Sequence, residues 1–358
     1  MERSQGKGAL MELSDILIAW YQTNKRDLPW RSSKDPYIIW ISEIILQQTR
    51  VAQGLGYFLR FTDRFPDVRS LAEAGEDEVL KYWEGLGYYS RARNLQAAAR
   101  RIMADFGGTF PSTYQDILSL KGIGEYTAAA IASFVWNQSY PVVDGNVFRV
   151  LSRLFASDTP IDTGRGKKEF TELAGSIMNP VKAGLHNQAI MEFGALQCVP
   201  KNPDCATCPL AVKCLAYAKG IPLFYPIKQN KTKTRNRYFN YLHILCNGET
   251  WLNRRSSDDI WKSLYELPLI ETEKETDFVS LQKTEAFQQV FDNVGELTIS
   301  KKLPHVKHVL SHQIIYATFY KVEIERPSVQ LNSYIKIPDN SIGNYAVPRL
   351  IQIYFEKD

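Results

Sequence analysis

The sequence contains no apolar run of about 18 residues, which is the length that a membrane-spanning helix needs. Its N-terminal stretch, MERSQGKGAL, also lacks the apolar segment of a secretory signal peptide. Neither sign of charge dominates, because 43 lysine and arginine residues against 39 acidic ones leave a net charge of +4. Such a balance permits an anionic partner without requiring one. We therefore expect a cytoplasmic protein that does not bind membranes.

The chain of 358 residues is too long for a single hydrophobic core, so at least one domain boundary is expected. Residues 10–224 have the pattern of successive helices with caps and stops at short intervals. After Pro226, apolar and polar residues alternate around an Asn247–Gly248 turn, which is typical of a β-hairpin. The sequence thus predicts an N-terminal tail (1–9), a mainly α region (10–224), a linker (225–238) and an α+β domain (239–358).

The predicted linker is basic, since the stretch KQNKTKTRNR at 228–237 carries five lysine and arginine residues and no acidic one. A patch that binds phosphate groups has this composition, and so does a solvated connection between domains. Of these two interpretations, we favour the solvated linker.

Local signals place helix ends in the mainly α region. Asp35 followed by Pro36 predicts a helix that begins there, with the aspartate as its cap. Glycines at positions 85 and 87 are expected to interrupt the next helical segments, and the Gly107–Gly108 pair to end them.

Four of the five cysteines lie close together, at Cys198, Cys205, Cys208 and Cys214. Disulfides are not expected in a cytoplasmic chain, so the cluster predicts thiolate ligands for a metal. Four thiolates suit either tetrahedral zinc or an iron–sulfur cluster, and their spacing does not choose between the two. The fifth cysteine, Cys246, lies in the β-like region and is expected to be a small buried hydrophobic residue.

The stretch LSLKGIGEYTAAAIASF at 118–134 places Gly122 and Gly124 between two helical segments. This setting resembles a helix-hairpin-helix, whose turn directs backbone N–H groups and a helix N-terminus at a DNA phosphate. A purely structural turn is the alternative. Asp144, twenty residues further on, precedes another helical pattern and is expected to cap it. A carboxylate that is fixed in this way is also available for catalysis.

Glu43 is the only charged residue between Asp35 and Arg50. On a helix, its neighbours three or four positions away are mainly apolar, among them Ile39 and Leu46. Desolvation in such surroundings raises the pKa of a carboxyl group, as a general acid near neutral pH requires. The alternative is a glutamate that points outward from an amphipathic helix.

Taken in order, the helix-hairpin-helix, the following aspartate and the Cys-x6-Cys-x2-Cys-x5-Cys loop resemble the endonuclease III superfamily of DNA glycosylases over roughly residues 10–220. Within it, LPWR (28–31), SEIILQQTRV (42–51) and EGLGYYSRARNL (84–95) resemble the adenine glycosylase branch, MutY. The resemblance implies a helical region with a six-helix part at about 36–136 and a cluster-bearing part at 10–35 and 137–224. It also implies that the four cysteines hold a [4Fe–4S] cluster.

The resemblance assigns roles to individual residues as well. It implies that Glu43 is the general acid, that Asp144 stabilises a cationic sugar, and that Tyr126 is a further catalytic residue. Relatives that cleave the strand carry a lysine nucleophile where this chain has Tyr126, so little or no lyase activity is expected. The residues expected to bind substrate or DNA are Trp30, Arg31, Leu46, Gln48, Thr49, Tyr88, Gly122, Gly124, Asn146, Gln188, Leu310, Ser311 and His312.

Three of these residues have more specific expected roles. Gln188 could face the adenine edge, since an amide offers both a hydrogen-bond donor and an acceptor. By the resemblance, Gln48 and Tyr88 enter the base stack near the opposite base. Packing roles for Gln48 and Tyr88 are the alternative.

By the same resemblance, residues 239–358 form a Nudix-like domain that reads 8-oxoguanine on the opposite strand. The stretch DDIWKSLYELPLIE at 258–271 matches the family signature, whereas the glutamate-rich hydrolase box is missing, so binding without hydrolysis is expected. The family's Phe-Ser-His loop corresponds to Leu310, Ser311 and His312, and the leucine departs from that pattern. A polar turn without a ligand is the alternative.

The expected partner is double-stranded DNA with adenine opposite 8-oxoguanine or guanine, bound by a monomer that associates with the nucleoid if the source is bacterial. Two other functions stay open. One is a glycosylase for thymine or oxidised pyrimidines, which Tyr126 and the second domain disfavour. The other is a non-enzymatic iron–sulfur electron carrier or DNA-binding module, which the pairing of Glu43 with Asp144 disfavours.

Overall fold

The computed structural model describes residues 2–230, 234–256 and 259–357. Residues 231–233 of the predicted linker and Asp258 of the DDIW stretch lie outside these ranges, as do Met1, Ser257 and Asp358. Within the described ranges, no helix is both long enough and apolar enough to cross a membrane.

The chain divides into two compact units. The first, here called the helical unit, consists of Met1–Glu73 and Ala97–Asn230. The second, here called the mixed unit, consists of Ala74–Gln96 and Lys231–Asp358. A segment from the middle of the predicted α region therefore packs with the C-terminal part of the chain.

The helices of the first 230 residues are, in chain order, α1 (Glu2–Asn24), α2 (Pro36–Leu46), α3 (Val51–Arg64), α4 (Val68–Glu73), α5 (Glu76–Tyr82), α6 (Ser90–Asp105), α7 (Tyr114–Ser119), α8 (Glu125–Trp136), α9 (Gly145–Phe155), α10 (Gly164–Ile177), α11 (Ala183–Leu196) and α12 (Leu215–Ala218). Short 3₁₀ turns occur at Pro29–Arg31, Pro180–Lys182, Ala211–Lys213 and Pro222–Phe224. Helix α1 begins inside the predicted tail, and α5 with the first part of α6 belongs to the mixed unit.

Short polar side chains start several of these helices. Asp35 caps α2 by accepting a hydrogen bond from the backbone N–H of Tyr37 at 2.8 Å, and Pro36 follows it, which confirms the prediction. Thr113 and Thr163 cap α7 and α10 in the same way. Each such cap stabilises a helix by about 1 kcal/mol, because it satisfies an N–H group that has no partner inside the helix.

The predicted glycine stops are also present. Gly85 and Gly87 lie between α5 and α6, with φ angles of 94° and 74°. The Gly107–Gly108 pair follows α6 with φ angles of 60° and 83°. Other residues rarely adopt these angles, so glycine permits the chain to turn where the helices end.

Large apolar side chains fill the centre of the helical unit. Trp40, Phe61, Phe65, Phe170 and Phe193 are each exposed by less than 2%. Around them, α2 packs against α8, and α11 packs against α1, α8 and α9. This packing brings α2, the start of α8, the start of α9 and one side of α11 to a common space.

The described residues of the mixed unit form two sheets. Its remaining elements are β1 (Arg235–Leu245), β2 (Glu249–Arg254), β3 (Tyr265–Glu266), β4 (Leu269–Thr272), α13 (Phe278–Gln282), α14 (Glu285–Val290), β5 (Leu297–Val309), β6 (Gln313–Ile324), β7 (Ile335–Pro338) and α15 (Arg349–Lys357), with 3₁₀ turns at Gln330–Ser333 and Asp339–Asn344. The four-stranded sheet has the order β4-β1-β6-β5, and the three-stranded sheet has the order β3-β2-β7. Strands β1 and β6 are parallel, whereas β4 and β5 are antiparallel to their neighbours.

The predicted β-hairpin is only partly correct. Asn247 and Gly248 form a tight turn with φ angles of 52° and 79°, both positive, as the favoured two-residue hairpin turn requires. Beyond a single bridge between Cys246 and Glu249, however, β1 joins the four-stranded sheet and β2 the three-stranded one. Most of β1 is buried on both faces. The alternation of apolar and polar residues in its sequence therefore did not show which strand would pair with it. Cys246 is 5% exposed, which confirms its predicted burial.

Strand β1 begins at Arg235, inside the stretch that we interpret as a linker. Arg237 is only 9% exposed and pairs with Asp259 at 2.8 Å and with Glu271 at 2.7 Å. A buried arginine needs such partners, because an unpaired charge is costly to remove from water. Arg237 is therefore part of the folded mixed unit rather than of a solvated connection, and the linker interpretation is wrong for this residue.

Candidate active site

A cavity of about 950 Å³ opens in the helical unit. Its walls come from residues 26–31, α2 with the loop that follows it, the starts of α8 and α9, and α11. Of the residues predicted from the sequence, it brings together Trp30, Arg31, Glu43, Leu46, Gln48, Thr49, Gly124, Tyr126, Asp144, Asn146 and Gln188. The others, Gly122, Tyr88, Leu310, Ser311, His312 and the four cysteines, are not part of its wall.

Glu43 lies on α2 and is 7% exposed, so it does not point outward from an amphipathic helix. Its Oε2 accepts a hydrogen bond from the Tyr126 hydroxyl at 2.8 Å. Burial raises the pKa of Glu43 to about 7, and the negative charge of Asp144 adds to this, while the hydrogen bond from Tyr126 and the charge of Arg31 oppose it. A carboxyl group with this pKa can hold and release a proton near neutral pH.

Tyr126 lies in the first turn of α8, where the helix-hairpin-helix turn meets the cavity. Burial, together with the charges of Glu43 and Asp144, raises the pKa of its hydroxyl well above the ordinary value. Tyr126 therefore keeps its proton and remains a hydrogen-bond donor to Glu43. It supplies no amine for a Schiff base.

Asp144 caps α9, as predicted: its Oδ1 accepts hydrogen bonds from the backbone N–H groups of Asn146 at 2.9 Å and Val147 at 2.8 Å. Its Oδ2 accepts a hydrogen bond from the Asn146 side chain at 2.9 Å. Burial raises the pKa of Asp144, while the hydrogen bonds from Val147 and Asn146 oppose that effect. The carboxylate of Asp144 thus both caps α9 and lines the cavity, and its hydrogen bonds hold it rigidly.

The predicted helix-hairpin-helix is present between α7 and α8. Gly122 has a φ of 81°, in the left-handed region, so the turn requires glycine there. Gly124 has an extended backbone and is the N-cap of α8. Leu120 and Ile123 are buried and hold the turn against the core.

Gln48 also stands out by its backbone. It lies in the loop between α2 and α3 and has a φ of 57°, which is uncommon for residues other than glycine. Such conformations cost about 1–3 kcal/mol and concentrate at functional sites. The preceding residue, Gln47, also lines the cavity and donates a hydrogen bond to the Thr127 hydroxyl at 3.3 Å.

One buried ion cluster in the cavity wall was not predicted. Glu192 on α11 is 1% exposed and pairs with both Arg26 and Arg31. Like Glu43, it is the only charged residue in an apolar stretch, AIMEFGAL, so the same sequence signal could have found it. Close to this cluster, Gln188 accepts a hydrogen bond from the Tyr21 hydroxyl at 2.7 Å.

The four clustered cysteines surround a second, small pocket of about 30 Å³ in the helical unit. None of them forms a disulfide. Nη1 of Arg153, on α9, lies 3.3 Å from Sγ of Cys198, and Nε of Arg149 donates to the Cys198 carbonyl at 2.8 Å. Among the described residues, no three His, Cys, Asp or Glu side chains are grouped closely enough to hold a metal ion.

Two predicted DNA-contacting segments meet inside the mixed unit. The Tyr88 hydroxyl and Oγ of Ser311 are 2.5 Å apart and hydrogen-bonded, although they are 223 positions apart in the sequence. Tyr88 is 48% exposed and has a φ of 46°, a second strained backbone among the predicted contacts. Leu310 instead packs against the hydrophobic core of the mixed unit, while Ser311 and His312 are exposed.

Comparisons with known proteins agree with this geometry. Residues 41–175 match the HhH-GPD superfamily of base excision DNA repair proteins, and residues 240–357 match the NUDIX domain. The adenine DNA glycosylase of Buchnera aphidicola subsp. Schizaphis graminum is 36% identical over 264 residues, which are 74% of this chain and 76% of the relative. That of Buchnera aphidicola subsp. Baizongia pistaciae is 33% identical over 320 residues, or 88% of each chain.

Solved structures show the same fold for the helical part. A thermostable thymine-DNA glycosylase superimposes with a TM-score of 0.56 at 28% identity and covers 61% of this chain and 100% of its own. Endonuclease III in a non-covalent complex with DNA superimposes with a TM-score of 0.52 at 20% identity, over 60% of this chain and 97% of its own.

The helical fold, its helix-hairpin-helix and the buried carboxylates define a base excision DNA glycosylase, joined here to a Nudix-like domain. The fold class predicted from the sequence is thereby confirmed. The chain belongs to the adenine DNA glycosylase family.

Proposed function

We propose that this chain hydrolyses the N-glycosidic bond of adenine mispaired with 8-oxoguanine or guanine in double-stranded DNA. The observation that carries the proposal is the buried Glu43, with a pKa of about 7, in a cavity that it shares with Asp144. Relatives that are named adenine DNA glycosylases support adenine as the base released.

The chemistry requires the target base to leave the duplex, at a cost of a few kcal/mol that is smallest for a mismatched pair. In the cavity, protonated Glu43 donates its proton to adenine as the bond to the sugar breaks. Ionised Asp144 offsets the positive charge that develops on the sugar, and water completes the hydrolysis. Tyr126 orients Glu43 through their 2.8 Å hydrogen bond. Gln188 faces the adenine. Gln48 and Tyr88 each contact the base opposite the adenine.

The discriminating experiment measures base release from duplexes that contain A opposite 8-oxoguanine, A opposite G, T opposite G and an oxidised pyrimidine. We expect adenine release from the first two and none from the others. Treatment with borohydride is expected to trap little enzyme on the DNA, because Tyr126 cannot form a Schiff base. Release of thymine or of the oxidised base, or efficient trapping, would contradict the proposal.

We further propose that Cys198, Cys205, Cys208 and Cys214 hold a [4Fe–4S] cluster. The chemistry of the residues fits, since four soft sulfur donors surround one pocket and the Arg153 guanidinium offsets the negative charge that thiolate ligands bring. Such a cluster would fix the loop between α11 and α12, and with it the exposed Lys201 and the half-buried Lys213. Lys213 already pairs with Glu12 at 2.8 Å, so Lys201 is the better candidate for a DNA contact.

Recognition of 8-oxoguanine is proposed for the mixed unit, by the paired Tyr88 and Ser311 together with His312. The hydrogen bond between Tyr88 and Ser311 supports a composite surface, because it holds two exposed loops at one place. 8-Oxoguanine differs from guanine by a carbonyl oxygen at C8 and a proton on N7. Hydroxyl and imidazole groups can hydrogen-bond to either of these features.

Replacing Ser311 and His312 together with alanine is expected to slow adenine release opposite 8-oxoguanine more than opposite guanine. The preference between the two substrates should narrow by about tenfold, since one lost hydrogen bond to a base costs about 1–3 kcal/mol. The measurement compares release rates for both duplexes at limiting enzyme concentration. Ser333→Ala, at an exposed serine elsewhere in the mixed unit, is the matched control and should preserve the preference. Equal slowing of both substrates would show a general DNA contact instead.

A further inference from the structure

The carboxylate of Glu192 is the centre of the buried ion cluster in the cavity wall. Its Oε1 accepts hydrogen bonds from the backbone N–H of Arg26, from Nε of Arg26 and from Nη1 of Arg31, each at 2.9 Å. Its Oε2 accepts from Nη2 of Arg26 at 2.6 Å and from Nη2 of Arg31. Burial opposes ionisation, but the hydrogen bonds from the two arginines outweigh it and lower the pKa of Glu192 to about 2. Glu192 is therefore ionised throughout the working pH range.

These contacts fix one wall of the cavity. The residues between the two arginines include Leu28 and Trp30, which are buried and line the cavity. Arg31 is also held from a second side, because its guanidinium lies 5.4 Å from the centre of the Tyr21 ring. The position of this wall thus depends on a carboxylate of α11, more than 160 positions further along the chain.

The contacts also set the charge that Glu43 experiences. The titratable and charged groups that line the cavity around Glu43 are Arg26 and Arg31 beside the first 3₁₀ turn, Arg50 before α3, Tyr126 on α8, Asp144 and Arg149 at α9, and Glu192 on α11. Arg31 acts directly on Glu43, since its positive charge favours the ionised carboxylate. Glu192 cancels one of the two guanidinium charges and holds Arg31 by two hydrogen bonds.

We propose that Glu192 is a positioning residue for base release. It binds Arg26 and Arg31 and so limits the extent to which their positive charge favours the ionised form of Glu43. Glu43 thereby keeps the proton that adenine must receive. The inference rests on the proposed function. Without the carboxylate, the wall would carry one more net positive charge, and the Arg31 guanidinium would no longer be neutralised by Glu192. Both changes favour ionised Glu43, which cannot act as an acid.

The test is the pH profile of single-turnover adenine release with saturating Glu192→Gln enzyme. In the wild type, the rate should fall as pH rises through about 7, where Glu43 loses its proton. In Glu192→Gln this fall should begin about one pH unit lower, so that the rate is reduced about fivefold at neutral pH and largely recovered in mild acid. A merely structural defect would lower the rate by the same factor at every pH.

Two further variants keep the test decisive. Arg31→Gln combined with Glu192→Gln restores the original net charge of the wall and removes the positive charge that acts directly on Glu43. The fall in its rate should therefore return to the wild-type pH or move above it, even if its maximal rate is lower. Glu192→Asp keeps the charge and should keep the wild-type profile. An unchanged profile in Glu192→Gln, or a fall that stays at the lower pH in the double variant, would overturn the inference. If the wild type released no adenine, the proposed function itself would fail.

Discussion

Replacing Glu43 with glutamine is expected to reduce the single-turnover rate of adenine release by about 10²–10⁴-fold, the usual contribution of a general acid. The amide has nearly the same shape and can still accept the hydrogen bond from Tyr126, but it has no acidic proton for the leaving base. Binding of a mismatched duplex should therefore remain close to that of the wild type. In the wild type, the rate should fall about tenfold for each pH unit above about 7, because only protonated Glu43 is active.

The same substitution is expected to stabilise the fold. In the folded protein the pKa of Glu43 is about 7, above the ordinary 4.5, so the unfolded chain releases this proton first as pH rises. The free energy of unfolding therefore falls as pH rises from about 4.5 to about 7, by up to about 3 kcal/mol. Glu43→Gln removes this loss, so its free energy of unfolding should exceed that of the wild type at alkaline pH and approach it in acid. Urea unfolding at both pH values measures the difference.

The matched control is Glu125→Gln, which removes an exposed carboxylate of the same chemistry next to Tyr126. It should leave both the saturated rate and the pH dependence of stability unchanged. Near-normal adenine release by Glu43→Gln would refute the acid role. A loss of activity accompanied by lower stability would show that Glu43 serves the fold.

Cys208→Ser is expected to lose the proposed cluster and, with it, much of the stability of the helical unit and its affinity for DNA. A loop whose structure depends on metal ligation has little order without it, so the binding free energy of the metal is folding free energy. The measurements are iron and sulfide content of anaerobically purified protein, thermal unfolding, and binding of a mismatched duplex. We expect wild-type protein to contain iron rather than zinc.

Cys246→Ala provides the matched control, because Cys246 is the one cysteine of the sequence that is not among the four proposed ligands. It is buried in the mixed unit, where its thiol contacts the Glu325 carbonyl at 3.4 Å. This variant should retain its iron and its affinity for DNA, and it should unfold only slightly earlier than the wild type. Equal loss of iron in both variants would contradict the assignment of the ligands, as would zinc in the wild-type protein.

Several features of this protein could be read from the residues because they depend on short-range chemistry. Asp35 and Asp144 each cap the helix that directly follows them, and Asn247–Gly248 forms a tight turn. Both features depend only on these residues and their immediate neighbours. The single glutamate in an apolar helix predicted the raised pKa of Glu43, and the structure agrees. The spacing of the cysteines predicted that they share a site, and they line one pocket.

The sequence by itself determined that the first part of the chain is helical, where α2 and α9 begin, where α6 ends, and which family the chain resembles, because those signals lie within a few residues or in motifs read in order. Only the tertiary structure decided which side chains meet. It paired Glu192 with Arg26 and Arg31, Arg237 with Glu271, and Tyr88 with Ser311. It also sent β1 and β2 into different sheets. Buried charges and strands contact partners that are far away in the sequence, and the packing of the whole fold brings them together. The spacing of residues along the chain does not show which of these partners will meet.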